Sequence, residues 1–243
     1  MPDNLASFKA YCEGGLNTNR DVLSQGERQP GSAIRLTNYE PAVTGGYRKI
    51  NGFSNDYGTV TGTGNVLGVC VINGINDGIL ACRTPSSGNN YLHKWNNTSS
   101  AWDAVSTSGS PTMSGVTKVR FTKYNFGSPK VILTDGINPA ATYDGTTYTQ
   151  ITHADAPTDP KFSAVFQNHM FLAGDPAENT NLYFSAPYAE TDFSAANGSG
   201  VINVGFSIVA IKTFRDALYI FGTNNIRKLV GNNISNFVLE SIS

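Results

Sequence analysis

Three aspartates occupy positions where a strand-rich chain could place catalytic carboxylates. Asp135 and Asp175 follow very apolar segments with strand character, and Asp216 lies in the turn before a third such segment. A glycosidase needs two carboxylates that converge on a cleft, one of them kept protonated by its surroundings. The alternative is that an aspartate beside glycine or asparagine caps a turn. We favour turn capping, and the sequence predicts no catalytic residue.

The other residue types that carry chemistry lack the spacing that such chemistry needs. His93, His153 and His169 are scattered without ligand spacing, so we predict no metal site. The G-x-S-x-G, G-x-x-x-x-G-K-[ST] and dinucleotide-binding patterns are missing, so we predict no cofactor. The three cysteines form an odd set without C-x-x-C spacing, which favours neither a disulfide framework nor a zinc site.

The segment 144–148, Asp-Gly-Thr-Thr-Tyr, comes nearest to a named motif. It loosely resembles the turn of a sialidase Asp box, which in those enzymes is a structural turn away from the active site. A plain hairpin turn that begins with Asp144 is the simpler interpretation. Both interpretations indicate structure rather than catalysis.

Composition restricts the classes of partner. Lys+Arg is 17 and Asp+Glu is 18, so no overall basic field attracts nucleic acid or an anionic membrane. Charged residues make up 14% of the chain against roughly 25% in ordinary domains, so asparagine, serine, threonine and glycine must supply the polarity. The 25 glycines suit short strands joined by tight turns. The N-terminus lacks a signal-peptide pattern and no apolar run approaches roughly 18 residues, so we expect cytoplasmic synthesis and no membrane partner.

Four segments of the chain repeat one pattern. Each contains an apolar strand, a short polar connection, a second very apolar strand and an aromatic hairpin. Aligned on Leu80, Ile132, Phe171 and Tyr219, they recur at intervals of 52, 39 and 48 residues, the differences between successive positions. A period of about 40 to 50 residues with four short strands is typical of β-propeller blades. The predicted fold is all-β, a β-propeller-like array of four-stranded blades.

The repeat predicts where the strands lie. First strands are predicted at 66–73, 118–125, 162–168 and 208–215, and second strands at 79–82, 131–134, 170–173 and 218–221. Outer hairpins are predicted at 92–105, 141–151, 182–193 and 229–238. Cross-strand pairs of Trp95 with Trp102 and of Tyr143 with Tyr148 should stabilise the first two hairpins. Four units are compatible with a four-bladed ring, an arc completed by something else, or the front part of a longer chain.

Residues 1–48 differ from the repeats, which occupy residues 49–243. Turn-forming residues recur every few positions in this first part, which leaves no room for a long regular element. We predict an extended N-terminal docking arm over 1–48, with one short strand at 33–36. Because such an arm cannot bury a core by itself, it should become ordered by docking on a neighbouring surface.

The arm and the repeats together resemble the propeller proteins of phage tails, namely the tail nozzle and head-to-tail stabilisation proteins of short-tailed phages. The similarity covers nearly the whole chain. In the repeats it is carried by residues 166–174, 182–185 and 218–221. In the arm it is carried by Gly14-Gly15-Leu16-Asn17, Asp21, Leu23, Gln29, Asn38 and Gly45-Gly46-Tyr47-Arg48-Lys49.

The resemblance implies a non-enzymatic virion component, usually a ring of six copies around the DNA channel, bound to an adaptor or portal ring. It also implies synthesis in the host cytoplasm, a place in the virion tail and passive contact with translocating DNA. Relatives tend to be considerably longer than this chain. The interaction residues that it marks are Gly14, Gly15, Leu16, Asn17, Asp21, Leu23, Tyr47, Arg48 and Lys49.

A carbohydrate-binding propeller is the second hypothesis for function. Trp95, Trp102, Tyr143 and Tyr148 could stack on sugar rings, and asparagine side chains could bind sugar hydroxyls. A lectin should repeat its recognition residues at each site, whereas the other three units carry Tyr, Phe and Leu at the position of Trp95. A glycosidase that uses the three aspartates is the third hypothesis.

Overall fold

The computed structural model describes residues 14–18, 31–33, 35–42, 46–52, 57–74, 78–84, 91–109, 111 and 115–242. The chain separates into two compact units, Met1–Asp56 and Tyr57–Ser243. In the first unit, β1 (Tyr39–Pro41) and β2 (Tyr47–Lys49) form a two-stranded antiparallel sheet. The predicted strand at 33–36 is represented by an isolated parallel bridge between Leu16 and Ala33.

The described strands of the second unit form four sheets, I to IV, in chain order. Sheet I contains β3 (Thr63–Ile72), β4 (Gly78–Thr84), β5 (Leu92–Asn96) and β6 (Ala101–Ala104). Sheet II contains β7 (Ser106–Ser108), β8 (Arg120–Asn125), β9 (Pro129–Thr134), β10 (Ala141–Tyr143) and β11 (Thr147–Gln150). Sheet III contains β12 (Phe162–Phe166), β13 (His169–Ala173), β14 (Asn181–Phe184) and β15 (Gly200–Asn203). Sheet IV contains β16 (Ala210–Phe214), β17 (Ala217–Phe221), β18 (Ile226–Val230) and β19 (Val238–Ser241).

The prediction of an all-β chain with mostly antiparallel four-stranded sheets is confirmed. In sheets I, III and IV the four strands pair in sequence order, each antiparallel to the next, and in sheet II β8 to β11 do the same. Sheet II has one additional strand, β7, which follows β6 of sheet I in the chain and pairs parallel to β11. This short strand ties the end of one repeat to the outer edge of the next.

The predicted outer hairpin at 182–193 is wrong in its second half. The return strand is β15, which pairs with β14 only after a loop that includes one turn of 3₁₀ helix at Ala195–Asn197. Phe193 lies in that loop and is buried against sheets II and III. An apolar residue that packs into a core from a loop gives the same sequence signal as one in a strand, which explains the error.

Three hydrophobic cores join the four sheets in series. One core contains residues of sheets I and II, a second contains residues of sheets II and III, and a third contains residues of sheets III and IV. The second strand of each inner sheet serves two cores, because its side chains alternate between the two faces. In β9, for example, Val131 and Leu133 face sheet I while Ile132 faces sheet III.

Hydrogen bonds also connect the strands that begin successive repeats, namely β3, β8, β12 and β16. The Val119 N–H, just before β8, donates to the Leu67 carbonyl of β3 over 2.9 Å. Ser163 Oγ of β12 donates to Thr122 Oγ1 of β8 over 2.8 Å, and Thr213 Oγ1 of β16 donates to the Val165 carbonyl of β12 over 2.5 Å. Side-chain hydroxyls thus link neighbouring sheets where the first strands approach closely.

A glycine permits the closest of these approaches. A Cβ atom on Gly68 of β3 would lie 2.6 Å from the Val119 carbonyl oxygen and 2.9 Å from the Phe121 ring. Both distances are too short for real contacts, so only glycine fits between β3 and β8 without displacing backbone. Among the described residues, no helix has the length and hydropathy of a membrane span.

Candidate functional site

Two of the three candidate catalytic aspartates are confirmed as turn caps. Asp135 Oδ1 accepts hydrogen bonds from the backbone N–H groups of Ile137 and Asn138, each over 2.8 Å. Asp175 Oδ1 accepts one from the Ala177 N–H over 2.9 Å. Both carboxylates are buried, and these bonds to residues two and three positions on are those of Asx turns.

The structure brings Asp135 and Asp175 together but not Asp216. Asp135 follows β9 and Asp175 lies just beyond β13, whereas Asp216 precedes β17 and therefore lies at the opposite end of its sheet. A third carboxyl, Asp159, joins the first two. Burial, and then the charges of Asp175 and Asp135, raise the pKa of Asp159 above its ordinary value. Of the three predicted aspartates, Asp135 and Asp175 therefore lie at the same end of their sheets, and Asp216 lies apart from them.

The three histidines occupy separate environments. His93 lies on β5 and His169 on β13, both buried, while His153 lies in the loop after β11. His169 Nδ1 is 2.6 Å from the Ser185 carbonyl oxygen, inside a cluster of phenylalanine rings. Within the described part of the chain, no three His, Cys, Asp or Glu side chains are grouped so as to hold a metal ion.

Asp144 forms the plain hairpin turn that the sequence predicts. Its Oδ1 accepts hydrogen bonds from the N–H groups of Thr146 and Thr147 and from the Thr146 hydroxyl, each over 2.8 Å. Burial opposes ionisation, but these hydrogen bonds outweigh it, so the pKa of Asp144 lies below its ordinary value. The turn therefore depends on a charged acceptor.

We expect the substitution Asp144→Asn to have a pH-dependent effect. A depressed folded-state pKa adds stability above the unfolded pKa of about 3.9 and loses it as the pH falls through the folded pKa. The asparagine keeps an oxygen acceptor but no charge, so the variant should be less stable than wild type at pH 7 and closer to it at pH 3. Urea unfolding at the two pH values measures this. An equal stability difference at both would contradict the role given to the carboxylate.

The outer hairpins of sheets I and II border a polar cleft of about 840 Å³. Trp95 and Trp102 pair across β5 and β6 and Tyr143 and Tyr148 pair across β10 and β11, as predicted. Trp95, Tyr143 and Tyr148 are all buried, so their rings are not free to stack on a sugar from the surface. The cleft is lined by Lys94, Trp95, Asn96, Asp103, Tyr143 and Thr146.

In the described part of the arm, the Tyr47 side chain links two backbone segments that are distant in sequence. The Tyr47 hydroxyl lies 2.7 Å from the Gly15 carbonyl oxygen and 2.9 Å from that of Gly31. Gly15 has a positive φ of 68°, and a Cβ on Gly14 would lie 2.7 Å from the backbone nitrogen of Ser32. Gly14, Gly15 and Tyr47, which the resemblance marks as interaction residues, therefore have a structural role in this segment.

Other marked residues of the arm face outward. Leu16 is 53% exposed although it is apolar, and Arg48 and Lys49 on β2 are exposed as well. Arg48 Nε pairs with Glu40 Oε1 over 2.6 Å across the β1–β2 ladder. The Asn17 N–H donates to the Ala33 carbonyl over 2.9 Å. Two further predicted interaction residues, Asp21 and Leu23, lie outside the described residues.

Comparisons with known proteins identify no relative by sequence. No family model matches the chain, and no curated protein matches it. A similar solved structure is PorZ, an essential bacterial surface component of the type-IX secretion system of Porphyromonas gingivalis, with 12% identity and a TM-score of 0.46. The match covers 73% of this chain and 21% of the PorZ chain, so this chain spans about a fifth of that protein. A similarity of this size carries no argument about function.

A partly buried ion pair is a feature that the sequence analysis missed. Lys130 Nζ of β9 contacts Glu190 Oε1, in the loop between β14 and β15, over 2.6 Å. Burial, and then the charge of Glu190, raise the pKa of the neighbouring Tyr124. The two charged residues are 60 positions apart, so no local spacing could have indicated the pair.

Proposed function

We propose that this protein is a non-enzymatic structural component of a phage particle, a tail nozzle, hub or head–tail connector. In this proposal the segment 1–48 docks on an adaptor or portal ring, and the stacked sheets form a propeller-like part of the wall around the DNA channel. The particle contains a ring of copies, six in the relatives that the sequence resembles. Contact with DNA is passive.

The observation that carries the proposal is the exposure of the arm. The described side chains between 14 and 52 are all at least partly exposed to solvent, whereas the described residues from 57 onwards form three buried cores. A segment that buries none of its described side chains has little apolar burial of its own to offset the entropy of ordering. The exposed Leu16 and the adjacent positive charges of Arg48 and Lys49 give such a segment groups with which to bind a partner.

Two further observations support a structural role. Asp135, Asp144 and Asp175 act as acceptors that hold turns, so the most prominent candidates for acid–base chemistry already have a structural explanation. The series of cores and inter-strand hydrogen bonds builds a continuous wall of stacked sheets. A wall of this kind suits a channel component because it needs rigidity and no reaction centre.

Binding to purified rings tests the proposal. The chain is mixed with portal and adaptor rings of a short-tailed phage, and the mass of each complex is measured by light scattering after size-exclusion chromatography. We expect about six copies per ring, and at least a tenfold weaker affinity for the variant Leu16→Asp/Lys49→Glu, since one lost apolar contact of about 1.4 kcal/mol gives that factor. The matched control is Val201→Asp, at a residue of β15 that is 50% exposed. No binding to any ring, or equal binding by the arm variant, would overturn the proposal.

A carbohydrate-binding module is the second candidate, and the polar cleft between sheets I and II favours it. Asn96 lines this cleft, and its Nδ2 donates to Asp103 Oδ2 over 2.7 Å. A few placed polar groups, such as this amide and carboxylate, orient a small polar ligand in a cleft. A glycan array with wild type and Asn96→Ala decides the matter: binding that the variant loses supports this candidate, and an array without binders removes it.

A further inference from the structure

Two sheet faces at the ends of the series have no described sheet packed on them. The terminal face of sheet IV carries Phe214 and Tyr219, whose rings meet edge to face with centroids 6.3 Å apart. The terminal face of sheet I carries Val69 and Val71 of β3. Phe214 is 57% exposed, Val69 59% and Val71 53%, so the two terminal faces are not packed on each other within one chain.

The terminal face of sheet IV is equivalent to a face that is buried in every preceding sheet. The residues aligned by the sequence repeat are Leu80, Ile132, Phe171 and Tyr219. The first three each lie in the core shared with the next sheet along the chain. Tyr219 occupies the same position on the second strand but meets no following sheet among the described residues.

Two charged residues on this face, Lys228 and Glu240, have counterparts in sheet I beside an interface that is already formed, whereas Lys212 stands where sheet I has Cys70. Across the strands of sheet IV, Tyr219 pairs with Lys228, and Lys228 pairs with Glu240. Lys228 Nζ contacts Glu240 Oε2 over 2.8 Å. In sheet I the corresponding lysine and acid line the cleft beside sheet II while the inner part of the row packs. The two rows are Cys70–Leu80–Lys94–Asp103 and Lys212–Tyr219–Lys228–Glu240.

The terminal face of sheet I corresponds to the face of sheets II, III and IV that packs against the sheet before it in the chain. In sheets II to IV the residues on either side of the aligned position point back toward the preceding sheet, as Met170 and Leu172 do from β13. In sheet I these positions are Ile79 and Ala81, which pair with Val71 and Val69 of β3. Ala81 is already buried, as is His93 beside it on β5, so the part of this face that is open to a partner is the β3 edge with Val69 and Val71.

We propose that the terminal face of sheet IV binds the terminal face of sheet I of a second copy of this chain. The contact would repeat the packing between successive sheets, so the series would continue from one copy into the next. Because two different faces meet, the interface is heterologous and produces a ring if the rotation closes, or a filament if it does not. This inference rests on the internal repeat alone and does not depend on the proposed function in a phage particle.

Self-association of the full chain, without any portal or adaptor ring, tests the inference. Sedimentation velocity over a range of concentrations should show wild type forming species larger than 26.0 kDa. The variants Val69→Asp and Phe214→Asp each place a charge on one terminal face, and each alone should weaken association at least tenfold. Val201→Asp, on an edge strand of a sheet with packed neighbours on both sides, is the matched control and should associate as wild type does.

Mixing the two variants gives the decisive result. In a heterologous contact, the intact sheet IV face of Val69→Asp can bind the intact sheet I face of Phe214→Asp. The mixture should therefore form a 1:1 complex of twice the mass of one chain, while each variant alone stays a monomer. A wild type that stays monomeric, a mixture without complexes, or one variant that associates as well as wild type would overturn the inference.

Folding of the variants is checked separately, so that a misfolded protein cannot imitate the expected result. Val69 and Phe214 are more than half exposed, so their substitution should leave the circular dichroism spectrum and the unfolding midpoint close to those of wild type. Val71→Lys and Ile226→Lys provide a second pair of variants on the same two faces. Agreement between the two pairs assigns the effect to the faces rather than to one side chain.

Discussion

Replacing Phe171 by alanine is expected to reduce the free energy of unfolding by about 3 to 5 kcal/mol, the range for a large aromatic removed from a core. Phe171 is fully buried in the core between sheets III and IV. Its ring centroid lies 5.5 Å from that of Phe184 and 6.0 Å from that of Phe237. Loss of the ring removes these contacts and leaves a cavity that strands on both sides hold open. Urea unfolding of the purified variant measures the change.

The matched control is Tyr219→Ala, at the equivalent position of sheet IV. Tyr219 is only partly buried and contacts Phe214 on a face that no described sheet covers, so we expect the monomer to lose about 1 kcal/mol or less. The comparison is made at a concentration low enough to keep both proteins monomeric. Equal losses for the two variants would show that Tyr219 is covered within one chain, and the order of sheets described here would then be incorrect.

Lys130→Met is expected to destabilise the protein by about 3 kcal/mol, the low end of the range for a broken buried ion pair. The Glu190 side chain is only 7% exposed, and without Lys130 its charge stays buried with no cation to compensate it. The pair joins β9 of sheet II to the long loop of sheet III. Removal of the lysine should therefore also loosen that loop. Thermal and urea unfolding measure the loss.

The reverse substitution should be milder. In Glu190→Gln the remaining Lys130 is 28% exposed and can turn its charge toward water, so we expect a loss of about 1 kcal/mol. The double variant should recover part of the stability that Lys130→Met loses, because no buried charge is left without a partner. A double-mutant cycle gives this coupling energy directly. If the stability losses of the two single variants simply add in the double variant, this would contradict an ion pair between Lys130 and Glu190.

The second strands β4, β9, β13 and β17 could be predicted from the sequence, because a short apolar run is a local pattern. Runs such as 131–133 and 170–173 are apolar at every position, and in the structure both faces of these strands are buried by neighbouring sheets. The repeat intervals also placed Leu80, Ile132 and Phe171 correctly on equivalent faces. An internal repeat is informative here because each unit must present the same two surfaces to its neighbours.

Features that depend on distant residues could not be predicted in the same way. The segment of β7, Ser106–Ser108, contains no apolar residue, and it is a strand because it pairs with the edge of β11, a strand about 40 positions later in the chain. Phe193 looks like part of a hairpin strand, yet it reaches a core from a loop. For the arm, the turn-forming residues gave no indication of the β1–β2 ladder, and the position of the Tyr47 hydroxyl between Gly15 and Gly31 follows only from the tertiary structure.

Hydrogen exchange of the full chain, alone and bound to a portal or adaptor ring, tests most directly whether the arm docks. In the isolated chain, amides of the described residues in 14–52 should exchange much faster than those of β9, β13 and β17, because the side chains described in this segment are all at least partly exposed. On the ring, protection should rise in this segment and stay unchanged in the three strands. Arm amides that are already as protected as the strands, or that exchange equally fast on the ring, would contradict a docking arm.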